Sequence, residues 1–82
     1  MKLPRDFDGL QLASLLRRYG YEITRQTGSH LRLTSTRKGP EHHITIPAHR
    51  ELKVGTLSHI LNEVSRYLEV DRGKLAEELF GA

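Results

Sequence analysis

Apolar residues recur along this chain in two rhythms, and the change of rhythm divides it. Near the start, Leu12, Leu15, Leu16 and Tyr19 fall at i, i+3, i+4 and i+7, which is one face of a helix. Asp6 or Asp8 caps that helix, and Gly20 stands where a left-handed residue ends it. Arg17 and Arg18 fall in its last turn, where positive charge suits the negative end of the helix dipole. Helix stability therefore accounts for both arginines without a ligand.

The period then drops to two. Tyr21 and Ile23 alternate with Glu22, Thr24 and Gln26; Leu31 and Leu33 alternate with His30, Arg32 and Thr34; Ile44 and Ile46 alternate with His43, Thr45 and Pro47. Three such runs predict an antiparallel meander with one buried face. Facing strands must match buried residue to buried residue, because a one-residue slip turns a strand over. A loop of Thr27-Gly28 alone would set Ile23 against Arg32. A three-residue loop, Thr27-Gly28-Ser29, sets Ile23 against Leu33 and Gln26 against His30, so this loop is expected. The second loop, Thr36 to Glu41, is polar and basic and is expected to be mobile.

A link from Ala48 to Leu52 leads back to the helical period. Leu57, Ile60, Leu61, Val64 and Leu68 form one stripe. Gly55 and Thr56 either cap this helix or lie in its first turn. A third helix runs from Asp71, its predicted N-cap, to Phe80. Two striped helices against a one-sided sheet predict a two-layer α+β sandwich of order α-β-β-β-α, with an extra C-terminal helix. The outer sheet face would carry Glu22, Thr24, Gln26, His30, Arg32, Thr34, His43 and Thr45.

Composition narrows the picture. Eighty-two residues suit one small domain with one modest core. No run of apolar residues is long enough to cross a bilayer, and Met1 to Asp6 lacks the apolar stretch of a signal peptide. A cytoplasmic setting is expected, with no membrane partner. The chain has no cysteine, which excludes disulfides and thiolate chemistry. The net charge of +3 is unevenly spread: residues 1–56 hold ten Lys/Arg against five Asp/Glu, and residues 57–82 hold three against five. A basic body points to a polyanionic partner. Arg25, Arg32, Arg37, Lys38, Arg50 and Lys53 are the cations on loops and strand ends, and phosphate contact needs no more than these.

His30 is the candidate of most interest. Imidazole moves protons near neutral pH, and an adjacent arginine can hold phosphate. Those groups suffice to break an RNA phosphodiester without a metal. The alternative is a polar edge histidine with no role. The five histidines do not form a metal motif: His42 and His43, adjacent on a strand, point to opposite faces, and no HxxxH or HExxH occurs. No metal and no cofactor is expected. Ser29 next to His30 is placed as a turn residue that meets phosphate, since neighbours on a strand diverge.

The stretch "LLRRYGYEITRQTGSH" followed by "HITIPAHRELKVGTLSHIL" resembles the HicA family of small toxins, over roughly residues 8–64. The resemblance implies a double-stranded-RNA-binding-like α-β-β-β-α fold for residues 1–82, with 65–82 as a helical extension. It implies an endoribonuclease that cuts messenger RNA and is neutralised by a HicB-type antitoxin. The family's catalytic histidine is the one in Gly-Ser-His, here His30. The matching positions extend to Gly28, Ser29, His49, Lys53, Gly55 and Thr56. Of these, Lys53 is expected to face phosphate and His49 to serve either proton transfer or loop hydrogen bonding. Where family members often carry an aromatic after Gly-Ser-His, this chain has Leu31-Arg32-Leu33. Two other readings stay open: a domain that binds RNA without cutting it, and an interaction protein whose partner is another protein. The sequence leaves the oligomeric state and the role of 65–82 open.

Overall fold

The computed structural model describes residues 7–81. Helix α1 spans Gly9–Leu16 and tightens into a 3₁₀ turn over Arg17–Tyr19. Strands β1 (Glu22–Thr27), β2 (His30–Ser35) and β3 (His42–Pro47) follow, then helices α2 (Val54–Leu68) and α3 (Arg72–Phe80). The strands form one antiparallel sheet in the order β1-β2-β3. The helices cover one face of it, which is the two-layer α-β-β-β-α arrangement of a double-stranded-RNA-binding-like fold with one added helix.

Each helix begins and ends for identifiable reasons. The Asp8 carboxylate accepts the Leu10 N–H at 2.7 Å, so Asp8 is the N-cap of α1; Asp6 lies outside the described residues. Gly20 closes the 3₁₀ turn at φ +87°, a left-handed position that glycine adopts without a Cβ clash. Asp71 caps α3 by accepting the Lys74 N–H at 3.0 Å. In α2 the N-cap position falls to Lys53, which places Gly55 and Thr56 inside the first turn.

The core lies between the layers. Leu31, Leu33, Ile44 and Ile46 from the sheet meet Leu12 and Leu16 of α1, Leu57, Ile60, Leu61, Val64 and Leu68 of α2, and Leu75, Ala76 and Leu79 of α3. Helix α3 is thus part of this core. The Tyr19 hydroxyl also bonds Glu78 of α3, and Phe7 meets Phe80 edge to face with ring centres 4.8 Å apart.

The sheet departs from expectation at β1. Ile23 does face Leu33, but the register shifts between Ile23 and Arg25, and thereafter Arg25 faces Arg32, Gln26 faces Leu31 and Thr27 faces His30. The loop is therefore Gly28-Ser29, two residues rather than three, and Gln26 does not oppose His30. A bulge at Thr24 absorbs the extra residue, which reconciles the short loop with the Ile23–Leu33 pairing. Gly28 has φ +56° at the first turn position, the requirement of a type II′ hairpin turn. Ile23 is 47% exposed, not buried, and β1 is exposed at all six positions. The helical layer stops short of this edge.

The Thr36–Glu41 loop is held more firmly than its composition predicts. The Tyr67 hydroxyl accepts the Lys38 N–H at 3.1 Å and donates to the Pro40 carbonyl at 2.6 Å. Arg37 donates from its guanidinium to the Arg18 carbonyl at 2.7 Å.

Candidate functional site

The exposed face of the sheet is built in rows by the strand register. At the hairpin end stand Thr27, His30 and Pro47; next come Arg25, Arg32 and Thr45; then Glu22, Thr34 and His43. His30 is exposed, as are Arg25, Arg32 and Thr45. His30 and Arg32 are two residues apart on one strand, so they share a face at about 6–7 Å.

The bulge at Thr24 decides what accompanies them. Without it Arg25 would point to the core side of β1. With it Arg25 stands directly across from Arg32. Facing residues on paired strands hold their Cβ atoms about 4.5–5.5 Å apart, and like charges there destabilise the sheet. Among the described residues, neither arginine forms an ion pair. Two uncompensated guanidiniums beside an imidazole are suited to an anion that can be shared between them, and phosphate meets that geometry.

The link after β3 is brought to the same end. The Ala48 N–H donates to the Ser29 carbonyl at 2.6 Å, and the His49 carbonyl accepts the Gly9 N–H at 2.9 Å. Leu52 N–H donates to the Phe7 carbonyl at 2.8 Å. His49 is exposed, and its backbone is fixed next to the Gly28-Ser29 turn. Lys53 is exposed at the N-terminus of α2, beyond that link.

Arg37 and Lys38 are not part of this group. They follow the far end of β2, where Ser35 lies five residues from His30 at about 3.3 Å each. Arg37 is engaged with Arg18, and Lys38 lies 3.6 Å from Glu69. Charge alone groups these two with the site, and the fold sends them to the opposite end of the sheet.

His42 and His43 point to opposite faces, as adjacent strand residues must. His43 Nδ1 lies 2.8 Å from the Thr34 hydroxyl on the outer face. His42 turns inward, where Nδ1 meets the Tyr21 hydroxyl at 2.6 Å and Nε2 meets Glu63 at 3.4 Å. Its ring stacks on Tyr67 with centres 4.7 Å apart. Burial, then the neighbouring Tyr67 and Glu63, pushes the Tyr21 phenol far above its ordinary value. Tyr21 therefore keeps its proton, and its hydroxyl shares one hydrogen bond with His42 Nδ1 while Nε2 faces Glu63. This chain of contacts ties the start of β1, β3 and α2 together, and the period-two pattern gives no sign of it.

Gly9 is a second residue that the sequence reading misses. A Cβ there would lie 3.0 Å from the Pro47 carbonyl carbon, 3.2 Å from Ala48 Cα and closer still to the Pro47 oxygen. A glycine in the first turn of a helix, where it costs stability, is the available signal of such a close approach.

Among the described residues no three His, Asp or Glu side chains are grouped to hold a metal ion, and no helix is long and apolar enough to cross a membrane.

The family model of the HicA toxin of bacterial toxin–antitoxin systems matches residues 10–65, more than half of the chain. The chain belongs to the HicA toxin family. The match runs from α1 through most of α2 and takes in the whole sheet and its outer face. Membership assigns the protein to the toxin side of a toxin–antitoxin pair, and so implies an antitoxin partner. No curated protein and no solved structure matches the chain.

Proposed function

We propose that this HicA-family protein is an endoribonuclease that cleaves messenger RNA, with His30 as its acid/base group. The observation that carries the reading is His30, exposed beside the unpaired Arg25–Arg32 couple. The guanidiniums grip the scissile phosphate. A base removes the proton from the 2′-hydroxyl, the 2′-oxygen bonds to phosphorus, and the bond to the 5′-oxygen breaks as an acid supplies its proton. His30 performs one of those transfers. The positive charge on both sides of the phosphate stabilises the charge that develops on its oxygens. Solvent water serves as the proton partner in the other transfer, so no metal or cofactor is invoked.

Ser29 and the backbone of Gly28 border the site and are assigned to phosphate contact. His49 and Lys53 are assigned to the RNA path on the link side. The antitoxin is assigned to the HicB type, and acidic residues in it would complement the arginine face.

The test is His30→Ala, assayed for RNA cleavage and growth arrest with the fold checked by circular dichroism. Removing an acid/base group lowers the rate by about 10²–10⁴-fold. A folded His30→Ala protein that cleaves at the parent rate overturns the assignment. RNA binding with no cleavage by the parent protein would instead identify a binding module.

A further inference from the structure

A three-stranded sheet in the order β1-β2-β3 has two open edges, and they are not equivalent. The β1 edge is broken by the bulge at Thr24, a feature that discourages pairing with another strand. The β3 edge has no such defence over His42–Thr45: the pairing of β3 with β2 runs from Ser35–His42 to His30–Pro47 without a shift.

The direction of the free groups follows from one bond. Ala48 N–H donates to Ser29, which extends the β2–β3 ladder by one hydrogen-bonded position. Antiparallel pairs alternate, so Ile46, Ile44 and His42 direct their N–H and C=O groups toward β2. Thr45 and His43 then direct theirs outward. Among the described residues no helix or loop backbone bonds to either. Pro47 ends the row because it has no N–H.

Helix α2 runs beside this edge without closing it. Between them lies a groove of about 290 Å³, lined by His43, Ile44 and Thr45 from the strand and His59, Ile60 and Glu63 from the helix. An incoming extended segment would meet backbone donors and acceptors at Thr45 and His43. Its inward side chains would lie against Ile44 and Ile60, and its outward ones would continue the outer face beside Thr45.

We propose that the antitoxin docks by adding an extended segment to the β3 edge, with apolar residues alternating with acidic ones. The occupant follows from two observations. Family membership implies one dedicated protein partner. The outer face beside the edge is cationic, because Arg32 pairs with Thr45 and Arg25 stands behind it. A carboxylate on the added strand would sit two strand spacings from Arg32, about 10 Å, close to one screening length, so the attraction is modest and weakens with salt. The inference rests on the partner that the family implies and not on the ribonuclease reading, so a cleavage assay of the free protein reports on that reading separately.

Residue-resolved amide exchange tests it, with the protein encoded beside this chain's gene as the probe. In the free protein His43 and Thr45 exchange much faster than Ile44 and Ile46. Complex formation is expected to slow His43 and Thr45 by about a hundredfold, since each gains a strand partner. The variant Thr45→Pro removes an outward N–H and leaves the β2 ladder bonds intact. It is expected to bind the antitoxin about tenfold more weakly, for loss of one backbone bond and blockage of the edge. If that variant does not fold, the exchange measurement on the parent chain decides alone. Unchanged exchange at both amides in a verified complex overturns the proposal, as does a probe that fails to bind. Slowing that grows with the concentration of this chain alone, or appears with RNA alone, assigns the edge to another occupant and overturns it too.

Discussion

Gly9→Ala places one methyl group where the structure has no room for it. The added Cβ would lie 3.0 Å from the Pro47 carbonyl carbon and nearer to its oxygen. Both neighbours are backbone, so no side chain can swing aside. The start of α1 must move away from the β3–α2 link, which stretches the 2.9 Å bond from Gly9 N–H to the His49 carbonyl. Overpacking of this kind costs about 1–3 kcal/mol, and loss of the bond adds about 1 kcal/mol. Alanine offsets part of this by up to about 1 kcal/mol of helix propensity. A net loss of about 2 kcal/mol follows, which for a domain of this size lowers Tm by about 8–16 °C. Gly55→Ala is the matched control: it is also in the first turn of a helix, and its Cβ would meet nothing within 4 Å. That variant should be neutral or more stable by up to about 1 kcal/mol. Thermal and urea denaturation followed by circular dichroism measure both. If Gly9→Ala melts with the parent protein, the close approach of α1 to Pro47 does not exist in solution.

Other outcomes follow from single contacts. Tyr67→Phe removes the hydroxyl that joins Lys38 to Pro40 and should cost about 1–2 kcal/mol; exchange of the Lys38 amide should quicken, and an unchanged rate would show that the loop is not held from α2. Burial, with the bond to Glu78, raises the Tyr19 phenol from its ordinary value of 10.0 to about 12 in the folded chain. The unfolded chain loses that proton first, so stability is fully present below about pH 10 and falls as pH rises toward about 12. Tyr19→Phe should flatten this fall, leaving the part due to Tyr21, and parallel alkaline curves for the two proteins would refute the assignment. Arg32→Gln should weaken RNA binding and reduce the salt slope by about 1, as loss of one phosphate contact requires; an unaltered slope would remove Arg32 from the RNA path.

How much of this is legible in the sequence varies by element. The strands are readable because Leu31, Leu33, Ile44 and Ile46 alternate with polar residues over a core that accepts only one face. The caps at Asp8, Gly20 and Asp71 are readable because a single side chain or dihedral decides each. The exposure of His30 follows from the same parity. The bulge at Thr24 is not readable, because no glycine or proline marks it and it settles a conflict between turn and pairing that exists only when two strands meet. That gap hides the Arg25–Arg32 couple. Gly9 and Tyr67 escape notice for a related reason: each answers to chain lying about thirty or more positions away, at Pro47 and Lys38. Conversely Arg37 and Lys38 look like neighbours of His30 only when charge is counted without direction.

The edge-to-face contact of Phe7 with Phe80 brings the two described ends of the chain side by side. The order in which the elements are joined is therefore not imposed by their positions in space. A short peptide bridging these ends, with a new opening cut at Gly39, would give a circular permutant that starts at β3 and finishes at β2. Such a protein would carry its His30 hairpin intact while its amino and carboxyl ends moved to the opposite pole of the sheet, freeing the imidazole's surroundings from any tag attached for labelling or immobilisation.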